Sequence, residues 1–481
     1  MGEAHRAAPP GATRATPYYR LLAAKMANYR VQNPVTDEVL ETFDQATDED
    51  IQTILADTQK AYETWSTETI EHRADLVRKL AQALRDGCEE YAVASCKEMG
   101  KSRPEMESEI IYAAEILEYY ADHAAEFLAD EPLPGTDGKA RIRKRPTGPL
   151  LGIMPWNFPW YQVARFIGPN LVLGNTIVLK HADICPTTAL TFQRLCEEVG
   201  MPKGTYLNVF ASHGQIAEII ADDRIQGVSL TGSERAGAII AEQAGKNLKK
   251  AVLELGGTDP YIVLDTDDVK KAAKLAWVTR MYNTGQACNS NKRIIVMDDI
   301  YDEFVAELSA LAGAMKPTTP EEVAKDGYCP LSSRGAAEDL ARQIQAAVDE
   351  GATLHVGGEL ADEGAYLSPA VLTDVPRDSK SFYAEFFGPV AEIYRVSSDE
   401  EAVKLANDSA YGLGSAVFSS DANRAERVAD QISAGMVHIN IPVSRGAHLP
   451  FGGVKRSGYG RELGPLGIDE FVNKQMYYVE D

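Results

Sequence analysis

The feature that most constrains the fold is a change of rhythm at Leu150. From there short apolar runs recur at Leu150–Met154, Thr176–Leu179, Tyr206–Val209, Gly227–Leu230 and Val252–Leu255. Helical segments lie between the later ones, around Thr187–Val199, Gln215–Ala221 and Glu234–Ala244. Parallel strands covered on both faces read as unbroken apolar runs, and each needs a crossover to reach the next. The rhythm therefore predicts βαβ units in a doubly wound parallel sheet. A second series begins near Tyr261, with strands at Tyr261–Leu264 and Ile294–Met297 and helices around Val269–Tyr282, Glu338–Glu350 and Glu400–Asn407. It predicts a second α/β unit. Upstream, Ile70–Met99 and Glu105–Leu128 are helical in period. Pro132, Pro134, Gly135 and Gly138 then mark a break. After it Ala140–Arg145 alternates apolar with basic residues, as an exposed two-sided strand would, and Gln475–Val479 reads as a closing strand.

A chain of 481 residues exceeds what one core organises, so two or three domains are expected. The formal charge of −23 repels phosphate backbones, which excludes nucleic acid as a partner. No apolar run approaches the ~20 residues a bilayer span needs, so no membrane is expected either. The cysteines at 88, 96, 185, 196, 288 and 329 form no CxxC pair or zinc spacing, which predicts no metal site and a reducing, cytoplasmic setting. Residues 1–25 are rich in Ala, Pro and Arg, lack an apolar h-region and precede a second methionine, Met26. They read as an extension outside the fold.

Four segments carry chemistry. Cys288 follows Asn283-Thr284-Gly285-Gln286-Ala287, a polar turn that can expose a thiolate. Read alone, a cysteine is more often a buried apolar residue. Glu254, 34 residues earlier, ends an apolar run, which places it at the carboxyl end of a strand, where open α/β sheets bind ligands. A carboxylate partly buried there suits a general base toward water, although a surface or capping acid fits as well. Pro155-Trp156-Asn157-Phe158-Pro159 makes a rigid turn whose amide could hold an oxyanion. Thr231-Gly232-Ser233 opens a helix, where glycine lets a phosphate approach backbone amides.

Together these segments resemble the aldehyde dehydrogenase superfamily from about Asn28 to Val479. The motifs run in the family's order: Pro155–Pro159, Lys180 in Val178-Leu179-Lys180-His181-Ala182, Thr231–Gly237, Glu254-Leu255-Gly256-Gly257, Gly285–Cys288, Glu385-Phe386-Phe387-Gly388-Pro389 and Pro450–Lys455. The resemblance implies an aldehyde dehydrogenase-like α/β fold of two doubly wound domains with a β-strand oligomerisation flap. It implies residues 26–129 and 147–256 as the cofactor domain, 257–459 as the catalytic domain, and 130–146 with 460–481 as the oligomerisation segment of a homodimer or homotetramer. It assigns Cys288 as the nucleophile that forms a thiohemiacetal and then a thioester, Asn157 and the Cys288 N–H as the oxyanion hole, and Glu254 as the base that activates water. Pro155, Trp156, Lys180, Asp183, Gly232, Ser233, Leu255, Gly256, Glu385 and Phe387 fall on cofactor-binding positions. Asp183, three residues after Lys180, would accept from a ribose hydroxyl and repel a 2′-phosphate, which favours NAD, while His181 and Thr187 leave NADP open.

Within the family the chain looks most like the succinate-semialdehyde dehydrogenase branch, which implies a short acid-bearing aldehyde as substrate. Arg165 lies eight residues beyond Asn157, where that branch places an arginine for the substrate carboxylate; a structural ion pair is the competing reading. Tyr161, Tyr282 and Arg445 are further substrate-binding candidates. Tyr282 stands six before the nucleophile, where some of these enzymes carry a second arginine, and Ser290 stands where some carry a second cysteine. Two alternatives remain: an enzyme for an uncharged aliphatic or aromatic aldehyde, and a catalytically silent scaffold of the same fold.

Overall fold

The computed structural model describes residues 29–480, so the extension expected over residues 1–25 lies outside the described residues. Two sheets flank the site. The first has six strands in the order Gly458–Tyr459, Lys250–Glu254, Gly227–Thr231, Pro149–Met154, Thr176–His181 and Tyr206–Asn208; all pair in parallel except the short Gly458–Tyr459 edge. Strand order reverses beside Pro149–Met154, between it and Gly227–Thr231. Carboxyl ends at such a switch point diverge and leave a crevice. The segments Pro155–Pro159 and Gly232-Ser233 leave from those two ends.

The second sheet has seven strands in the order Thr353–Val356, Ala370–Thr373, Val390–Val396, Arg293–Met297, Pro260–Val263, Ala416–Phe418 and His438–Ile439, with only the first antiparallel. A third sheet places Ala140–Pro146 between Val472–Tyr478 and Glu131–Pro132, antiparallel to both. Met476 and Tyr478 remain exposed on it.

Five α-helices of the described residues were not expected from the sequence: Asp48–Trp65, Tyr161–Leu173, Asp298–Ala314, Ala422–Ala429 and Gly464–Ile468. Tyr161–Leu173 is buried at every residue from Gln162 to Leu173 and contains Pro169, so it shows no amphipathic period and carries a helix breaker. Asp48–Trp65 opens with a capping box in which Thr47 and Asp50 satisfy each other's backbone amides. Asp298–Ala314 follows its strand without a connecting loop, so strand and helix periods merge. The region 70–99 divides at Gly87 into Ile70–Asp86 and Cys88–Met99. No described helix is long and apolar enough to cross a membrane.

Candidate active site

Past the helix Val269–Met281 the chain turns through Asn283, Thr284 and Gly285 at φ of 52°, 52° and 76°. Two consecutive non-glycine residues in the left-handed region cost energy, and for a β-branched threonine the cost is larger. Buried partners hold the turn. Glu105 accepts from the Asn283 N–H at 3.1 Å, and Asn283 Nδ2 donates to the carbonyls of Asn157 and Gln286 at 2.8 and 3.2 Å. The fully buried Arg280 guanidinium donates to Gly285 O, Ser290 Oγ and Phe386 O at 3.0, 2.9 and 2.7 Å. The turn sets Cys288, half-buried, in the wall of a cavity of about 410 Å3. Burial pushes its thiol up to about 11, while Lys292 and Arg165 draw it down and Glu254 and Asp259 oppose them. At rest the sulfur is protonated.

Asn157 is fixed from several sides. Lys101 Nζ donates to its carbonyl at 2.7 Å and forms a buried ion pair with Glu109, which in turn accepts from the amides of Trp160 and Tyr161 at 2.8 and 3.1 Å. His181 holds the Pro159 carbonyl at 3.0 Å through Nε2, and its Nδ1 accepts from the Ala182 amide at 2.8 Å. Burial keeps this imidazole neutral, with a pKa lowered to about 4. Gln162 Nε2 donates to Asn157 Oδ1 at 3.1 Å, which orients the amide so that Nδ2 donates to Gln286 O at 3.0 Å, inside the nucleophile's own turn. An amide nitrogen carries a second N–H, available to an oxyanion.

Glu254 ends its strand 1% exposed, and neither carboxylate oxygen has a hydrogen-bond partner among the described residues. A buried carboxylate left unsatisfied is costly unless it has work to do. Burial holds its pKa well above the carboxylate range; Arg165 pulls it down and Glu462 pushes it up. Gly452 leaves it room, because a Cβ there would come within 2.8 Å of Oε1.

The structure places Arg165 just behind the cavity wall, donating to Tyr161 Oη at 3.3 Å, and not among the lining residues. It is 1% exposed, ion-paired with Glu462, donates to Thr231 Oγ1 at 3.2 Å and lies over the Phe451 ring at 4.5 Å. A buried guanidinium needs such a countercharge, and Glu462 already supplies it. The other three substrate candidates do line the cavity. Tyr161 stacks on Tyr112 with ring centroids 5.3 Å apart, and Tyr282 stacks on Phe158 at 5.7 Å. Arg445 reaches across the rim to Ser108 Oγ at 3.0 Å and lies over the Tyr112 ring at 4.3 Å.

Four site residues escaped the sequence reading: Lys101, Glu105, Glu109 and Lys292. Glu105, Glu109 and Tyr112 occupy i, i+4 and i+7 of the helix Arg103–Phe127. That face grips the nucleophile turn, the Asn157 turn and, through Tyr112 Oη and the Gly446 N–H at 3.1 Å, the Arg445 loop. Nothing local marks Glu105 and Glu109 out, because the same helix carries five further acids, Glu107, Glu115, Glu118, Asp122 and Glu126.

Most of the dinucleotide candidates lie at or just past the carboxyl ends of the first sheet's strands. Trp156 and Phe387 meet edge to face at 5.9 Å. Glu385 Oε1 accepts from the Gly257 N–H at 3.2 Å, and a Cβ on Gly256 would come within 2.4 Å of Glu385 Oε2 and displace that carboxylate. Leu255 packs against Gly237, where a Cβ would meet its methyls at 2.6 Å. Lys180 Nζ pairs with Asp183 Oδ1 at 2.7 Å, and Ser233 caps the helix Glu234–Lys246 just after Gly232. A lysine–acid pair, a helix N-terminus and a close-approach glycine fit a ribose, a pyrophosphate and a second ribose in turn. Pro155 leads from the central strand into this surface.

Comparison with known proteins agrees. The sequence profile of the aldehyde dehydrogenase family matches residues 22–477. A succinate-semialdehyde dehydrogenase [NADP(+)] of Deinococcus radiodurans is 47% identical over 445 residues, covering 92% of this chain and 93% of that one. One from Mycobacterium avium is 39% identical over 455 residues, covering 93% and 96%. The crystal structure of succinic semialdehyde dehydrogenase from Streptococcus pyogenes with NADP+ superposes with a TM-score of 0.91 at 44% identity, covering 94% of this chain and all of that one.

Proposed function

This chain belongs to the aldehyde dehydrogenase family and is an NAD(P)-dependent oxidoreductase; on that premise we propose that Cys288, Asn157 and Glu254 oxidise a short acid-bearing aldehyde, succinate semialdehyde foremost, to its carboxylic acid. The Cys288 thiol first releases its proton to water; the thiolate then adds to the aldehyde carbon, and the carbonyl oxygen, now an alkoxide, receives N–H from Asn157 Nδ2 and from the Cys288 backbone. The bound dinucleotide supplies the two-electron acceptor of the oxidation. The oxidised adduct is a thioester on Cys288. Glu254 takes a proton from water as its oxygen adds to the thioester carbon, and the thiolate leaves as the acid is released. The observation that carries this reading is the Asn157 amide hydrogen-bonded into the nucleophile's own turn, beside the cavity that Cys288 lines.

Lys180, Asp183, Gly232, Ser233, Gly256, Glu385 and Phe387 would hold the dinucleotide, with Pro155, Trp156 and Leu255 shaping its bed. Lys180 offsets the repulsion that Asp183 alone would exert on a 2′-phosphate, so NADP is admitted beside NAD, in keeping with the NADP(+) in the relatives' names. Residues 26–129 with 147–256 act as the cofactor domain and 257–459 as the catalytic one. Residues 130–146 and 460–481 join a homodimer or homotetramer in the cytoplasm, where the exposed Met476 and Tyr478 face suits a second copy.

Of the two arginines expected near the substrate, Arg445 lines the cavity and is assigned the carboxylate grip, with Arg165 behind the wall on Tyr161. A hydrogen bond to a charged group contributes about 1.5–3 kcal/mol, which is roughly 10- to 150-fold in kcat/KM. Arg445→Gln should therefore lower kcat/KM for succinate semialdehyde by that factor and leave butanal unchanged. The aromatic walls, with Phe158, Tyr161 and Tyr282, favour a second reading in which uncharged aldehydes are preferred. Butanal outranking succinate semialdehyde in the unmodified enzyme would establish that reading instead.

A further inference from the structure

Lys292 has no part in the chemistry above, yet it sits at its junction. Its side chain is fully buried, and its ammonium donates to Ala287 O and Cys288 O, both at 2.7 Å, and pairs with Glu385 Oε1 at 3.0 Å. An ammonium has three N–H donors, and here all three are used. Two hold the nucleophile turn; the third holds the acid assigned to the dinucleotide. No other described contact joins the two so directly.

We propose that Lys292 couples occupancy of the dinucleotide site to the reactivity of Cys288. The inference rests on the reading that Cys288 is the nucleophile and Glu385 meets the dinucleotide. With the dinucleotide site open, Glu385 balances the ammonium. When a ribose hydroxyl takes hydrogen bonds to Glu385, the carboxylate's hold on Lys292 loosens, and more of the positive charge is felt at the Cys288 turn. A positive charge beside a thiolate favours it, so the sulfur becomes a nucleophile only when the electron acceptor is in place. A thiol kept protonated until then is shielded from oxidation and from unproductive adducts.

The other charges facing these groups do not supply the link. Cys288 also faces Arg165, Glu254 and Asp259. Arg165 is ion-paired with Glu462, and Glu254 makes no hydrogen bond to the nucleophile turn or to Glu385. Asp259 faces Lys292 and Glu385, and Glu385 also faces Arg280 and Tyr411. None of these side chains bonds both to the nucleophile turn and to Glu385. Lys292 is thus a positioning residue, acting through its neighbours and not on the substrate.

The test is the pH dependence of Cys288 alkylation by iodoacetamide in the full-length protein, followed by peptide mapping, with and without saturating NADP+. Occupancy is checked by quenching of protein fluorescence. The midpoint is the readout, because bound dinucleotide shields the sulfur and lowers the plateau. In the unmodified protein NADP+ should move the midpoint down by about one unit, roughly a tenfold gain in thiolate at neutral pH. Lys292→Gln, with NADP+ still bound, should lose that movement, and Lys292→Arg should restore it. Glu385→Gln should show the lowered midpoint with no dinucleotide present. An unmoved midpoint in the unmodified protein, a full movement in Lys292→Gln, or an unlowered midpoint in Glu385→Gln each overturns the proposal. Should Lys292→Gln not fold, the Glu385→Gln arm decides alone. Turnover surviving Cys288→Ala would instead overturn the underlying assignment of the nucleophile, so the two failures are told apart.

Discussion

Glu254→Gln is the substitution that separates the two halves of the reaction. The carboxylate is buried and makes no hydrogen bond among the described residues, so the near-isosteric amide breaks none. It removes only the capacity to take a proton from water. A positioned general base contributes about 10²- to 10⁴-fold, or roughly 2.7–5.5 kcal/mol of barrier. All of that loss should fall on thioester hydrolysis, because sulfur addition and oxidation come first. In stopped-flow absorbance the variant should release about one equivalent of reduced dinucleotide per site at the normal rate and then turn over 10²- to 10⁴-fold more slowly. The pH dependence of stability follows from the same burial. The folded carboxyl holds its proton above the ordinary value of 4.5, so the native state binds more protons than the unfolded one as pH climbs past it. Stability from this group is full below that value and is lost as pH rises toward the folded pKa. Glutamine does not titrate, so the Tm of Glu254→Gln minus that of the unmodified protein should grow from acid to neutral pH. A steady state within a few-fold of normal, or a first turnover lost along with the later ones, would refute the role given to this acid.

Further outcomes follow from the same geometry. Asn157→Ala should lower kcat by about 10²- to 10³-fold, the usual cost of one oxyanion donor, while iodoacetamide still labels Cys288; an activity loss under threefold would remove the amide from the mechanism. Asp183→Ser should raise the ratio of kcat/KM with NADP to that with NAD, by about tenfold for roughly 1.4 kcal/mol of relieved repulsion, and an unchanged ratio would take Asp183 out of cofactor choice. Lys101→Met leaves Glu109 buried without its cation, which costs about 3–5 kcal/mol, and it frees the Asn157 carbonyl. Urea unfolding should register the first effect and a fall in kcat at unchanged KM the second.

Much of this arrangement was legible in the chain. The apolar runs from Leu150 onward matched buried parallel strands because such strands leave an unbroken hydrophobic signature, and the carboxyl end of Val252–Leu255 pointed to Glu254. The motifs around Asn157 and Cys288 gave the family and hence the fold. What stayed hidden was side-chain partnership. For Arg165 an ion pair was one of two readings, but its partner Glu462 is almost three hundred residues away and only folding brings them together. Lys292 reads as the polar end of a turn before a strand, and nothing local indicates that its ammonium reaches Glu385. The helix Tyr161–Leu173 was invisible because complete burial erases the period on which helix recognition depends.

The measurement closest to the central claim is the mass of the enzyme caught during turnover. The protein is mixed with succinate semialdehyde and NADP+, quenched in acid within the first turnovers and digested. The account predicts one succinyl group, hydroxylamine-labile, on the peptide carrying Cys288, enriched in Glu254→Gln and absent from Cys288→Ala. An acyl group on another residue, or full turnover with no acyl-enzyme in Glu254→Gln, would contradict it.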